Sequence, residues 1–139
     1  MPEPEPKPNT HLSIDHRLCG HVREIGSDRS AVELVLLEEM RADASGLVHG
    51  GFIFGAADYA AMLAVNDPNV VLGSAEVRFK RPSRVGESLV FDARVEWADG
   101  RKRTVSVVGR SAAGAEVFAG LFVCFVLEAH PLQASAPAP

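Results

Sequence analysis

The chain is 139 residues long, 47% apolar and 23% charged, with a formal net charge of −4 at pH 7. That length suits a single domain, since domains typically hold about 100–150 residues, and the apolar fraction is too high for a disordered chain. The acidic balance speaks against a nucleic-acid binder, which carries a basic excess. Two cysteines, Cys19 and Cys124, do not make a disulfide framework; both fall in strand-like apolar contexts and read as buried thiols of a reducing compartment.

The first ten residues, MPEPEPKPNT, hold no apolar run, so no signal peptide is expected there. Proline also makes helix and central strand unfavourable at both ends. Residues 1–9 and 133–139 are therefore expected to be frayed, Pro-rich tails around one working domain at 10–132. The longest apolar stretches, 50–65 and 117–127, fall short of the ~20 residues a membrane helix needs. A soluble cytoplasmic protein is the expectation.

In chain order, residues 21–25 read as a strand, followed by a turn at Gly26-Ser27-Asp28-Arg29. Residues 30–37 alternate, with Val32, Leu34 and Leu36 on one side and Glu33 on the other. A polar loop covers about 39–48. The stretch at 50–66, GGFIFGAADYAAMLAVN, is rich in Ala, Leu, Met and Phe without strict alternation, which predicts a helix. Four strands follow. Residues 70–81 set Ala75, Val77 and Phe79 opposite Glu76, Arg78 and Lys80, and residues 88–97 set Leu89, Phe91, Ala93, Val95 and Trp97 on one face. Asp99-Gly100 marks a hairpin into 103–110, and Ala113-Gly114 a turn into 116–127. A helix that is apolar almost all round must be enclosed. A single antiparallel sheet wrapped around one long central helix satisfies that, an α+β architecture.

Between His49 and Asp67 that helix holds one charge, Asp58. A carboxylate on a buried helix is costly unless it is paired, hydrogen-bonded or protonated, so Asp58 is a candidate functional acid. Gly50 and Gly51 leave the first backbone N–H groups of the helix uncovered, where they can hold an anion or a polarised carbonyl oxygen. At 100° per residue, Gly55, Asp58 and Met62 all lie within about 40° of the direction of Gly51, on one stripe. Yet Gly51 and Asp58 are separated by about 10 Å along the axis, at ~1.5 Å per residue, whereas a base works within about 3 Å of its proton. Two helices of a symmetric dimer could meet that requirement, each giving Gly51 to one site and Asp58 to the other.

The stretch at 46–66, GLVHGGFIFGAADYAAMLAVN, resembles the HGG-x(6)-D motif that opens the central helix of phenylacetyl-CoA-type hotdog thioesterases; His49, Gly50, Gly51 and Asp58 all match it. VRFKRPSRVGESL, at 77–89, is similar to the strand and turn with an F-x-R-P-x-x-x-G pattern in the same family. The resemblance implies a hotdog fold and hydrolysis of an acyl-CoA thioester to a carboxylic acid and free CoA. It implies that the Gly51 amide polarises the thioester carbonyl and that Asp58 of the facing subunit attacks it or activates a water. His49 would shape the oxyanion pocket. It further implies homodimers paired into tetramers, acyl-CoA bound at the subunit interface, and neither metal nor cofactor beyond the CoA of the substrate. Hydratase, dehydratase and DNA-binding hotdog patterns are not found. A non-catalytic acyl-CoA binding or sensing module on the same scaffold is the alternative.

Nine of the fourteen Lys and Arg fall between Arg78 and Arg110. Lys80, Arg81 and Arg84 cluster at one strand end and are candidates for the CoA phosphates, with Arg81 and Arg84 foremost, because Arg grips phosphate well. Solvated strand ends would look the same. Tyr59 is a candidate substrate contact, although it, Phe52 and Phe54 also suit a core. His11, Asp15, His16 and His21 fit no standard zinc spacing, so no metal site is expected.

Overall fold

The computed structural model describes residues 6–134. The elements are α1 (His16–Cys19), β1 (His21–Gly26), β2 (Arg29–Val35), a 3-10 turn (Glu38–Met40), α2 (Gly50–Val65), β3 (Val70–Phe79), β4 (Ser88–Asp99), β5 (Lys102–Ser111), β6 (Glu116–Val126) and α3 (Pro131–Ala134). The expected order of two strands, one long helix and four strands is therefore present, and the fold is a hotdog domain: one antiparallel sheet in the order β1-β2-β4-β5-β6-β3, with α2 packed on its concave face.

Composition explains that packing. Ile53, Ala56, Ala57, Ala60, Leu63 and Ala64 of α2 are buried against Val32 and Leu34 of β2, Leu89 and Phe91 of β4, Val105 and Val107 of β5, and Phe118 and Phe122 of β6. Alanines let the sheet close around the helix, while the large residues on the strands fill the space; each large apolar side chain so buried stabilises by roughly 1.5–3 kcal/mol. The Ser30 hydroxyl donates to the Ala60 carbonyl at 2.6 Å, tying β2 to the middle of α2. Tight hairpins follow from residues that tolerate positive φ: Asp28 at 58° between β1 and β2, and Gly100 at 58° between β4 and β5.

One expectation fails at a bulge and another at the edge of the sheet. The register of β4 on β5 slips between Val95 and Trp97, so Val95 faces Val105 in the core but Trp97 faces Thr104 on the opposite side of the sheet. Trp97 is thus exposed rather than in line with Leu89 and Phe91. On β3 the predicted face is correct, with Ala75 and Phe79 paired to Phe122 and Phe118, yet both are exposed, because β3 is the edge strand and α2 covers it only in part. Cys19 lies in the short helix α1, not in a strand.

The N-terminal segment is held to the end of α2. Asn66 caps that helix in the left-handed region, φ 54° and ψ 38°. Its amide accepts from the Asn9 N–H and donates to the Lys7 carbonyl, both at 2.8 Å. Residues 6–9 are exposed but anchored by this clip; the remainder of the expected tails, residues 1–5 and 135–139, lies outside the described residues, while Gln133 and Ala134 belong to α3. Non-glycine residues pay roughly 1 kcal/mol for the left-handed region. Asn66→Ala is therefore expected to lower the urea unfolding free energy by about 1–2 kcal/mol and Asn66→Gly by less, since glycine adopts this conformation freely. Equal losses in the two variants would show that the cap conformation is not what Asn66 supplies.

Candidate active site

The start of α2 is fixed by backbone hydrogen bonds between two loops. Val48 N–H donates to the Ser83 carbonyl at 2.9 Å, Val85 N–H to Gly46 at 2.9 Å, Gly86 N–H to Leu36 at 2.8 Å and His49 N–H to Met40 at 2.9 Å. Gly46 and Gly86 supply the positive φ values, 88° and 94°, that these crossings need. The loop before α2 and the loop from β3 to β4 thus form one rigid platform. His49 is the N-cap, and its side chain makes no capping bond; its ring lies edge-on to Phe52, centroids 6.2 Å apart. The first-turn amides of Gly50 and Gly51 are left without an intrahelical acceptor, as at any helix start.

Beyond the platform one stripe of α2 stays open. Gly51 is exposed, a Cβ there meeting only the His49 ring at 3.0 Å, and a Cβ at Gly55 meets nothing within 4 Å. One turn past Asp58 the stripe closes at Met62, which is 1% exposed. Asp58 sits at that boundary. Its Oδ1 is buried with no hydrogen-bond partner among the described residues. Burial pushes its carboxyl up to about 6, from an ordinary value of 3.8. Two thiols are near enough to feel its charge. Burial, then Asp15 and then Asp58 raise Cys19, and burial followed by Asp58 pushes Cys124 up to about 12. Both cysteines are protonated and unreactive at neutral pH.

Of the expected site residues, the structure brings Gly50, Lys80 and Arg81 to a single cleft at the helix start. Arg84 lines an adjoining cleft with Ser45, Leu47, Pro82 and Glu87. Arg81 and Arg84 have no ion-pair partner among the described residues, whereas Lys80 is paired to Glu116 and is a poorer phosphate candidate for that reason. Gly51 and Asp58 share the open stripe. Tyr59 does not: it is 2% exposed and packs between the rings of His11 and His16, 6.2 and 6.0 Å away. Ser83, in the Gly50 cleft, was not anticipated; its sole signal is a small hydroxyl inside an otherwise basic, proline-containing turn.

Residues 45–118 match the family described as the thioesterase superfamily. Among curated proteins, methylthioribose-1-phosphate isomerase of Aquifex aeolicus is 50% identical over 98 residues, 70% of this chain and 22% of that protein. Transcription factor FapR of Bacillus cytotoxicus is 30% identical over 108 residues, 76% of this chain and 54% of that protein. The chain therefore spans about a fifth and about half of the lengths of these two relatives. Among solved structures, the uncharacterized protein PH1136 from Pyrococcus horikoshii superposes with a TM-score of 0.90 at 45% identity, covering 94% of this chain and 99% of that one. With the matched segment embracing α2, Asp58 and the platform loops, the chain belongs to the thioesterase superfamily.

Proposed function

We propose that the protein hydrolyses acyl-CoA thioesters at sites shared between two copies of the chain, with Asp58 as the acid–base or nucleophilic carboxylate. The observation that carries this reading is Asp58 itself: an unpartnered, partly buried carboxyl at the end of an open stripe on an otherwise uncharged helix. The spacing from His49 to Asp58 favours the phenylacetyl-CoA type within the superfamily. The Gly51 amide of one chain would hold the thioester carbonyl oxygen, with His49 shaping that end of the site. Asp58 of the other would take a proton from water as the water oxygen adds to the carbonyl carbon, or would attack that carbon itself. In the first route the C–S bond then breaks, the thiolate of CoA takes that proton and the acid leaves; in the second, C–S cleavage leaves an anhydride between the acyl group and Asp58, which water hydrolyses to release the acid and supply the proton that the thiolate takes. Arg81 and Arg84 would receive the phosphates of CoA.

Because Asp58 titrates at about 6, its carboxylate form prevails above that pH. Hydrolysis by wild type is expected to fall as pH drops through about 6. Asp58→Asn is expected to cut turnover at least ~100-fold in a free-thiol release assay across short, long and aromatic acyl-CoAs. Unchanged turnover would dispose of the assignment and favour the second reading, a non-catalytic acyl-CoA-binding module, which the similarity to FapR supports.

Sharing of the site has its own test. Gly51→Pro deletes the amide donor at a first-turn position where proline is tolerated. Each of Gly51→Pro and Asp58→Asn is expected to be inactive alone. A denatured and refolded equimolar mixture should regain about a quarter of wild-type activity, since half of the random two-fold pairs then hold one intact site of two. No recovery would place both groups of a site in one chain.

The carboxyl should also cost stability. The folded chain keeps the Asp58 proton up to about pH 6 and the unfolded chain only to 3.8, so the native state binds the extra proton between those values and stability falls as pH rises through them. At ~1.4 kcal/mol per pH unit that penalty is on the order of 3 kcal/mol above pH 6. Asp58→Asn is expected to unfold at higher urea than wild type at pH 8 and at the same urea near pH 4. A variant no more stable at pH 8 would show that the carboxylate is compensated in the native protein.

A further inference from the structure

Asp58 has no neighbour that aims it. Its Oδ1 is buried with no hydrogen-bond partner among the described residues. The titratable groups that feel its charge, Cys19 on α1 and Cys124 on β6, are neutral thiols. A group that takes a proton or attacks a carbon must stand within about 0.5 Å of its productive position. Elsewhere a second side chain commonly holds such a group by a hydrogen bond. Here the carboxyl stands wherever α2 puts it, and α2 is seated on the sheet by apolar contacts. Those are strong but non-directional, so they leave a helix faced with alanine free to slide and tilt.

One directional contact reaches the interior of this helix. The Ser30 hydroxyl on β2 donates to the Ala60 carbonyl at 2.6 Å, the sole hydrogen bond from the sheet to α2 among the described residues. Ser30 is 4% exposed and pairs with Ala93 of β4. Along the concave face they follow Val32 and Leu34 on β2 and Phe91 on β4. Two small residues thus make a notch in a face of large ones, and the backbone of α2 comes down into it. A buried hydroxyl carries a desolvation cost that its hydrogen bond must offset, which valine at this position would not. The rest of α2 is held at its ends, by the platform at His49 and the clip at Asn66. Ala60 follows Asp58 by two residues, about 3 Å along the axis and on the opposite side of the helix. Any shift of α2 at Ala60 is therefore passed on to the carboxyl.

We propose that Ser30 is a positioning residue: by holding the Ala60 carbonyl it fixes the seat of α2 on the sheet, and through it the place of the Asp58 carboxyl on the open stripe. This rests on the thioester reading above for the task of Asp58, and adds what aims it.

Substitutions at Ser30 separate aim from fold. Ser30→Ala removes the hydroxyl, Ser30→Thr keeps it, and Ser30→Val has the shape of the threonine variant without it. The alanine and valine variants are expected to lower kcat for acyl-CoA hydrolysis about 10-fold with KM within about twofold, and the threonine variant to stay within about twofold of wild type. In an Asp58→Asn background Ser30→Ala is expected to cost nothing further, since no carboxylate is left to misplace. A merely structural residue would lower the remaining turnover by the same factor in both backgrounds. Equal losses in the two backgrounds, or a threonine variant no better than valine, overturn the proposal.

A second readout needs no turnover. The Asp58 carboxyl, which burial raises to about 6, is followed by carbon-13 NMR of labelled protein. A loosened helix admits water to it, so its midpoint is expected to fall by at least about half a pH unit in Ser30→Ala and to stay in place in Ser30→Thr. An unmoved midpoint in Ser30→Ala overturns the proposal. If wild type hydrolyses no acyl-CoA but the midpoint falls, the hydrolase reading fails and Ser30 still aims the acid. Asp58-dependent hydrolysis with kcat and midpoint both independent of Ser30 gives the reverse.

Discussion

A sixteen-residue helix with a single charge cannot stand in water, and the rest of the structure follows from enclosing it. Polar residues would have given α2 a solvent face and the sheet one side to cover. Instead alanine, leucine, methionine and isoleucine make up its surface, and the sheet packs over it with the large side chains that fill the gaps. The enclosure is incomplete along one stripe only, where Gly51 and Gly55 take the place of side chains that could have been packed. Asp58 stands where that stripe closes. Full enclosure would leave its charge without water, and full exposure would leave it an ordinary acid; the boundary raises its proton affinity to the middle of the pH range while keeping a route to it.

The helix start is held differently from its middle. Its position comes from four main-chain hydrogen bonds among the segments around Leu36, Met40, Gly46 and Ser83, none of which depends on a large side chain. Such a platform specifies backbone positions within tight limits while leaving the surface free for recognition. It also explains why the basic residues sit where they do. Arg81 and Arg84 flank Pro82, which lines both clefts, so one turn presents a cation to each.

Much of this was legible in the sequence. Alternation placed β2, β3 and β4 within a few residues of their ends, the turns at Asp99-Gly100 and Ala113-Gly114 placed β5 and β6, and the run at 50–66 did not alternate and so read as the helix. The charge count within that run found Asp58 without reference to any fold. What failed did so for local reasons. Trp97 continued an unbroken alternation, but one extra residue at the bulge turned it to the other face, and nothing in side-chain chemistry marks a bulge that has no glycine. Tyr59 follows Asp58 in sequence but lies 100° further round the helix, under the N-terminal segment, and that segment's docking depends on the amide of Asn66, a residue whose sequence signal is only that of a helix stop. Ser83 and Gly50 are distant in sequence and meet only because the two loops interlock.

Under the proposed function a single copy of the chain is unfinished. Gly51 and Asp58 open on one stripe, yet two helical turns hold them apart, and no rotation of either side chain can close a gap along the axis. The edge strand β3 is unfinished in a second sense. Its ten residues present one unpaired row of N–H and C=O groups, and its concave side shows Ala75 and Phe79 to solvent, which a lone sheet edge would ordinarily guard with charge. A two-fold pairing along this edge would satisfy the ladder, cover those side chains and set two α2 helices antiparallel on one continuous sheet. The start of each helix would then run toward the middle of the other, so that an amide and a carboxylate that are fixed apart in each chain could come together between chains, as the proposed function requires.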